Sequence, residues 1–333
     1  MRAILKESAD KRFSALCTTA ALRGIESGSP WATLWAEVED SGFADAWVPE
    51  SDAGAGLSWV DTHPVLLAAG EYGLPVALGP TMLLRAHLAR AGLPRIGGPI
   101  TLATQVQTSP SGAVAARRVP FGRVSDWVAL DHEERSWLLP VRSARIIDSG
   151  VYASLQADLL WNAWPSEAID LGQRLPLRDS GAAIWVVMMA GAMAGALKLT
   201  LTYAGDRHQF GRSIGQFQAV QQQLSLMAEH VHAVAMAAEM VCSGSDGPIN
   251  TALVAMAKAR ASEAVAIITA IAHGVHGAIG ITQEYPLNFL TRRLHEWRMD
   301  FGSETYWQHR LGSAFLSSPS MRALDFVLES LSP

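Results

Sequence analysis

Three short stretches hold side chains whose types and spacing could do chemistry. RHQFGRSIGQFQ, Arg207 to Gln218, sets a cation, an amide, an aromatic and glycines in a polar turn between two helical segments. Arg207 can fork onto a phosphate and Gln209 can hydrogen-bond, while the N-terminus of the following helix supplies unpaired N–H groups suited to an anion. HGVHGAIGIT, His273 to Thr282, frees the backbone at Gly274, Gly277 and Gly280 for close approach to a ligand. EWRMDFGSETYW, Glu296 to Trp307, offers one carboxylate, Asp300, ahead of a Phe-Gly pair, a candidate base if it can reach a proton. Each stretch also has a plain structural reading: a solvated arginine before a helix, glycines that let helices pack, a surface acid. The two histidines lack a credible third ligand, so no metal site is expected.

The chain that must position these groups has 333 residues, enough for two or three packing units. Its 49% hydrophobic and 17% charged residues are those of a globular protein with a large core. A net charge of −5 and no Lys/Arg-rich run argue against nucleic acid or an anionic membrane as partner, because neutralising phosphates needs clustered cations. Cys17 and Cys242 fit no metal or redox spacing, and a reduced, cytoplasmic chain is the expectation. MRAILKESADKRFSAL mixes both charge signs and has no apolar signal core. AAIWVVMMAGAMAGAL, Ala182 to Leu197, falls short of the roughly 20 residues that span a bilayer and reads as a buried bundle helix.

Periodicity divides the chain into a helical N-terminal domain (1–96), a short β-domain (97–173) and a C-terminal helical bundle (174–333). In the middle part TLATQV, AVAARRVPF, DWVAL, SWLLPV and VYASL read as strands separated by turn residues. In the last part Phe217, Val220, Leu224, Met227, Val231 and Val234 recur at steps of three and four, one apolar stripe on a helix. Thr251 to Val275 is apolar on nearly every side, as an interior or oligomer helix would be. Segregated helices and strands favour a multi-domain α+β layout, and no strand-to-helix G-x-G-x-x-G argues for a doubly wound sheet.

In this order the motifs carry a resemblance. R-x-Q-F-G-x-x-I-x-x-F-Q-x-V-Q from Arg207, followed by H-G-x-x-G-x-x-x-E-Y-P from His276 and an arginine, resembles the C-terminal domain of the acyl-CoA dehydrogenase family. GFADAWVPESDAGAGLSW, Gly42 to Trp59, resembles the family's G-x-x-x-x-x-V-P-E-x-x-G-G-x-G segment, and AAGEYG, Ala68 to Gly73, sits where its next helix is found. The resemblance implies a helical N-terminal domain, a central β-domain, a C-terminal four-helix bundle, and a dimer or tetramer with FAD at subunit interfaces. It also implies α,β-dehydrogenation of an acyl-CoA thioester, in which a glutamate takes the α-proton, the flavin accepts hydride and electrons leave to electron-transfer flavoprotein.

The same resemblance marks departures. Counting without gaps from Gly280 through Tyr285 and Arg292 brings the family's E-G-T/S glycine onto Gly302, so the base position is Phe301, which cannot take a proton. The base position used by other members, on the first long helix of the bundle, falls on Gly181. Asp300 is the substitute at hand, but a shift of one residue on a helix turns a side chain by about 100 degrees. It is expected to be a surface or capping acid beside a vacated catalytic position. Neither T-E-P-x-x-G-S-D nor W-I-T/S, which hold and cover the flavin ring in active relatives, occurs between Gly97 and Arg174. Arg207, Gln209, Phe210, Gly277 and Gly280 keep the pattern that holds the pyrophosphate and adenosine of a neighbouring subunit's FAD, although Gly274 and Ala278 depart from it.

This combination resembles the short, base-less subunits of heteromeric (α2β2) acyl-CoA dehydrogenases that act on steroid side-chain CoA thioesters. The implied role is half of an FAD site, completed in a heterotetramer with a full-length acyl-CoA dehydrogenase subunit. Two alternatives stay open: a self-sufficient homodimeric FAD enzyme using Asp300, and a structural homodimer that binds neither FAD nor CoA.

Overall fold

The structure, a computed structural model, describes residues 1–110, 112–243, 249–317 and 322–331. Five helices come first, α1 (Arg2–Leu16), α2 (Thr19–Glu26), α3 (Ala32–Asp40), α4 (Trp59–Glu71) and α5 (Leu78–Arg90). Strands β1 (Ile100–Ala103), β2 (Val106–Thr108), β3 (Val114–Val119), β4 (Trp127–His132), β5 (Arg135–Pro140), β6 (Arg145–Asp148), β7 (Ala157–Trp161) and β8 (Ile169–Asp170) follow. Then come α6 (Leu177–Asp206), α7 (Gln218–Ser243), α8 (Thr251–His276), α9 (Leu287–Met299), α10 (Glu304–Leu316) and α11 (Ala323–Leu331). This is the α+β succession of helices, strands and helices expected from the sequence. The chain divides into two compact units, each gathered from separate stretches.

One unit comprises Ser14–Thr62 and Pro75–Gly181 and holds both four-stranded sheets, ordered β1-β4-β5-β8 and β2-β3-β7-β6. All pairings are antiparallel except β1 with β4. Leu130 and Leu139 from the first sheet pack with Val114, Leu159 and Trp161 from the second, so the short strands close on a core of their own. Two strand assignments need correction. TLATQV divides into β1 and β2, and VYASL is no strand: Gly150 and Ala153 have φ of 93° and 59°, and the Ser154 N–H closes a turn onto Val151 O. The strands there are RIID, whose four residues are exposed and give no alternating signal, and ADLLW. In the same unit VPESDAGAGLSW folds back on itself. Trp47 stacks on Trp59 at 4.3 Å and donates to Thr62 Oγ1 at 2.6 Å, and a Cβ on Gly54 would overlap the Val48 carbonyl.

The other unit comprises Met1–Phe13, His63–Leu74 and Ala182–Pro333. Within it α6 is buried from Ala182 to Leu197 apart from a partly covered Ala194, which explains an apolar surface all round and makes this run the buried bundle helix expected from sequence. Leu224, Met227, Val231 and Val234 of the α7 stripe are buried, whereas Phe217, ahead of the helix, and Val220 are half-buried. On α8 the buried face runs through Val254, Lys258, Ala261, Val265, Ile268 and Ala272, while Glu263, Ala266, Ala270 and Gly274 are exposed. Asn250 Oδ1 caps α8 by accepting the Leu253 N–H at 3.1 Å. Cys242 is buried, and burial pushes its thiol up to about 12, while Cys17 is half-buried. Both fit the role of bystanders.

Candidate functional site

Arg207 begins the connection between α6 and α7. Its N–H still bonds the Tyr203 carbonyl of the last helical turn, and His208–Gln209 then pair antiparallel with Arg212–Ser213. The two residues at the tip, Phe210 and Gly211, have φ of 53° and 79°, the left-handed values that a tight two-residue hairpin demands. Glycine takes such a conformation freely and phenylalanine does not. Phe210 is nevertheless 92% exposed, an aromatic presented at a hairpin tip with the Phe217 ring edge-on at 6.2 Å. Arg212 lies over the Phe217 ring at 4.1 Å, which steadies the hairpin from the α7 side. The Arg207 guanidinium is exposed and makes no ion pair among the described residues. No acid stands in the first turn of α7, so no carboxylate there would oppose an anion at the helix N-terminus. An anionic dinucleotide fits this donor set: Arg207 for phosphate charge, Gln209 for polar contact, Phe210 for a planar ring.

Gly277 ends α8 with φ of 62°, its N–H capping onto the His273 carbonyl, and nothing lies within 4 Å of where its Cβ would be. Gly280 is different. A Cβ there would come 2.9 Å from His276 Cβ and 3.2 Å from His273 Nδ1, so helix packing alone accounts for this glycine. The hairpin and the glycine turn, distant in sequence, share one end of the bundle: Tyr203 stacks on His276 at 4.5 Å, and His276 Nε2 meets the Tyr285 hydroxyl at 3.2 Å.

Three histidines support that end. His273 Nε2 contacts Thr291 Oγ1 at 3.0 Å, His295 Nε2 contacts Thr269 Oγ1 at 3.2 Å, and His276 Nδ1 contacts the Ala272 carbonyl at 2.7 Å. Burial lowers the pKa of all three below the ordinary histidine value of 6.5. The folded state therefore binds fewer protons than the unfolded chain below about pH 6.5, and stability falls as pH drops through that value. Acid titration followed by hydrogen exchange is expected to open the segment around Gly277 before the interior of α6. A bundle that loses protection uniformly would contradict this.

The candidate base positions are filled. Gly181 lies buried near the start of α6 and has no side chain to offer. Phe301 is 4% exposed, meets Trp185 edge-on at 4.9 Å, and adopts a φ of 57°. Of the two readings of Asp300, surface acid or capping acid, the structure overturns the first and places the residue at the C-cap of α9. It is 7% exposed, ends α9, and accepts a hydrogen bond from Trp185 Nε1 at 3.2 Å. Burial among Trp185, Trp297 and Phe301 reverses the expected exposure because the turn after α9 folds inward. One group escaped the sequence reading altogether: Lys258, wholly buried on α8, whose ammonium reaches the carbonyls of this turn. Its position in step with Val254, Ala261 and Val265 on the apolar face was the available signal.

The exposed polar hairpin, the glycine turn and the inward-folded turn after α9 sit on a bundle whose residues 179–304 match the acyl-CoA dehydrogenase C-terminal domain. Beyond the bundle, the likeness covers most of the chain, which belongs to the acyl-CoA dehydrogenase family. The acyl-CoA dehydrogenase IpdE2 of Mycolicibacterium smegmatis is 30% identical over 304 residues, covering 88% of this chain and 92% of that protein. Among solved structures, the ChsE4–ChsE5 complex of Mycobacterium tuberculosis has a TM-score of 0.82 at 21% identity, over 97% of this chain and 98% of that one. A Tcur3481–Tcur3483 steroid ACAD variant also gives 0.82, at 23% identity over 96% and 98%. Both share the fold.

Proposed function

We propose that the chain is a subunit of an acyl-CoA dehydrogenase that lends Arg207, Gln209 and Phe210 to an FAD held jointly with a catalytic partner, and does not itself remove the substrate proton. The observation that carries this reading is Phe301. At the family's base position stands a buried aromatic locked against Trp185, and the neighbouring carboxylate, Asp300, is buried and engaged by the same indole. A base must come within about 3 Å of its proton, and neither side chain offers a free carboxylate. The flavin, when bound, supplies the hydride acceptor for oxidation of an acyl-CoA thioester. This chain's part is to hold phosphate charge at the hairpin and present Phe210 to the far side of the site. Two structures similar in fold, the ChsE4–ChsE5 complex and a Tcur3481–Tcur3483 variant, each carry the names of two proteins, which supports a paired role.

The test is the visible spectrum of the purified protein, alone and co-expressed with a full-length acyl-CoA dehydrogenase partner. A colourless chain that forms a yellow complex bleached by acyl-CoA is the expected result. A yellow, reducible protein alone would make it self-sufficient, and a colourless chain with every partner tried would leave a structural homodimer. In the complex, Arg207→Ala should weaken flavin retention by roughly ten- to a hundredfold, the worth of a charge-assisted phosphate contact of about 1.5–3 kcal/mol. Flavin released per complex on dilution measures it.

A further inference from the structure

Lys258 projects from the middle of α8 into a ring of acceptors. Its Nζ lies within hydrogen-bonding distance of four acceptors that share its N–H donors: the Trp297 carbonyl at 3.0 Å, the Arg298 carbonyl at 3.1 Å, the Gly302 carbonyl at 2.9 Å and Ser262 Oγ at 3.0 Å. The first two carbonyls belong to the last turn of α9, where backbone oxygens have no partner within the helix. Gly302 lies past the bend, so one amine grips both arms of the turn. Between the arms Phe301 and Gly302 hold φ of 57° and 110°, conformations that persist at a non-glycine residue only when the surroundings over-determine them. A second brace spans the same bend: Arg298 forks onto Glu304, with Nε 3.0 Å from Oε2. Trp185 Nε1 fixes the Asp300 carboxylate between them.

We infer that Lys258 is the positioning residue of this turn: it sets the backbone of residues 300–302, and so the place at which the side chain of residue 301 is held, whatever that side chain is. The inference rests on residue 301 being the family's base position. It accounts for a phenylalanine seated there in a left-handed conformation, because every contact of the clamp is made to backbone oxygens and to Ser262, and none to the residue 301 side chain.

The charges facing the amine come from each element packed on it. Burial is the largest influence and pulls its pKa down to about 7, Asp300 on the turn and Glu304 on α10 favour the ammonium, and Arg298 on α9 opposes it. An opened turn releases the amine to water and its ordinary value of 10.5. Opening therefore takes up a proton between about pH 7 and 10.5 and becomes less favourable as pH rises through that window.

Hydrogen exchange on the full chain, resolved to the segment after α9, tests this. Lys258→Met is expected to speed exchange of the 300–302 amides at least about tenfold while the interiors of α6 and α8 change less than about threefold. In the unmodified protein the protection of the turn, corrected for intrinsic rate, is expected to rise between pH 7 and 9, and the variant should show no such rise. Unchanged exchange at 300–302, or loss spread evenly over the bundle, overturns the inference. Should Lys258→Met fail to fold, Lys258→Gln decides: exchange at 300–302 unchanged from the parent, or sped evenly with α6 and α8, overturns the inference. Exchange does not depend on flavin or partner, so failure of the proposed function would appear in the absorption spectrum and leave this result intact.

Discussion

Gly191→Ala is expected to cost about 3 kcal/mol or more, a large share of the roughly 5–15 kcal/mol by which folded proteins are stable. On α6 a Cβ at residue 191 would overlap the Leu67 carbonyl of α4, and across the same contact a Cβ on Gly70 would overlap the Met188 carbonyl. The two helices touch backbone to backbone through reciprocal glycines. The obstacle is a main-chain oxygen on each side, so no rotamer change relieves it and the helices must separate. Gly205→Ala is the internal control. It lies on the same helix with nothing within 4 Å of its Cβ, and alanine there should stabilise by up to about 1 kcal/mol through helix propensity alone. Chemical denaturation of both variants checks the pair. A Gly191→Ala protein as stable as the parent would mean that α4 and α6 do not meet as described.

Phe301→Glu is the second large effect, and it separates a missing base from a filled site. If the only defect were the side chain, glutamate would restore a base. The surroundings argue otherwise: residue 301 is buried against Trp185, which is already bonded to Asp300. An added carboxylate lies beside an existing one in an aromatic environment, and both desolvation and like charge raise its pKa. The variant is expected to lose about 3 kcal/mol at neutral pH. Its folded-state pKa stands above the unfolded glutamate value of about 4.3, so the loss is smallest below that value and grows as pH rises toward the folded pKa. Denaturation midpoints measured at acid and neutral pH read the difference directly. A variant equal in stability to the parent at neutral pH, and able to exchange the α-proton of an acyl-CoA, would show an open base site.

Much of the site was legible because its signals are local. The Arg207 to Gln218 hairpin declares itself through a cation, an amide and a glycine between two periodic helices, and the structure presents Phe210 at its tip. The apolar run from Thr251 to Val275 marks α8, which ends at His276 with Gly277 as its C-cap. VYASL misled because β-type residues there fall on a bend set by two left-handed positions, while RIID, exposed throughout, offers no alternation to read.

By itself the sequence determined the α+β succession, the family and the absence of a carboxylate at residues 181 and 301, since each depends on residue identity and near-neighbour spacing. Only the tertiary structure decided that Asp300 is buried, that Lys258 on α8 grips the turn after α9, and that α4 meets α6 through paired glycines. Those facts depend on which distant segments share a surface. A lysine on an apolar helix face and an acid near a helix end are locally indistinguishable from solvated charges; the carbonyls and the indole that satisfy them arrive from elsewhere in the chain. Burial and hydrogen-bond satisfaction are properties of the assembled core, and the one-dimensional pattern records only that a polar group must be satisfied somewhere.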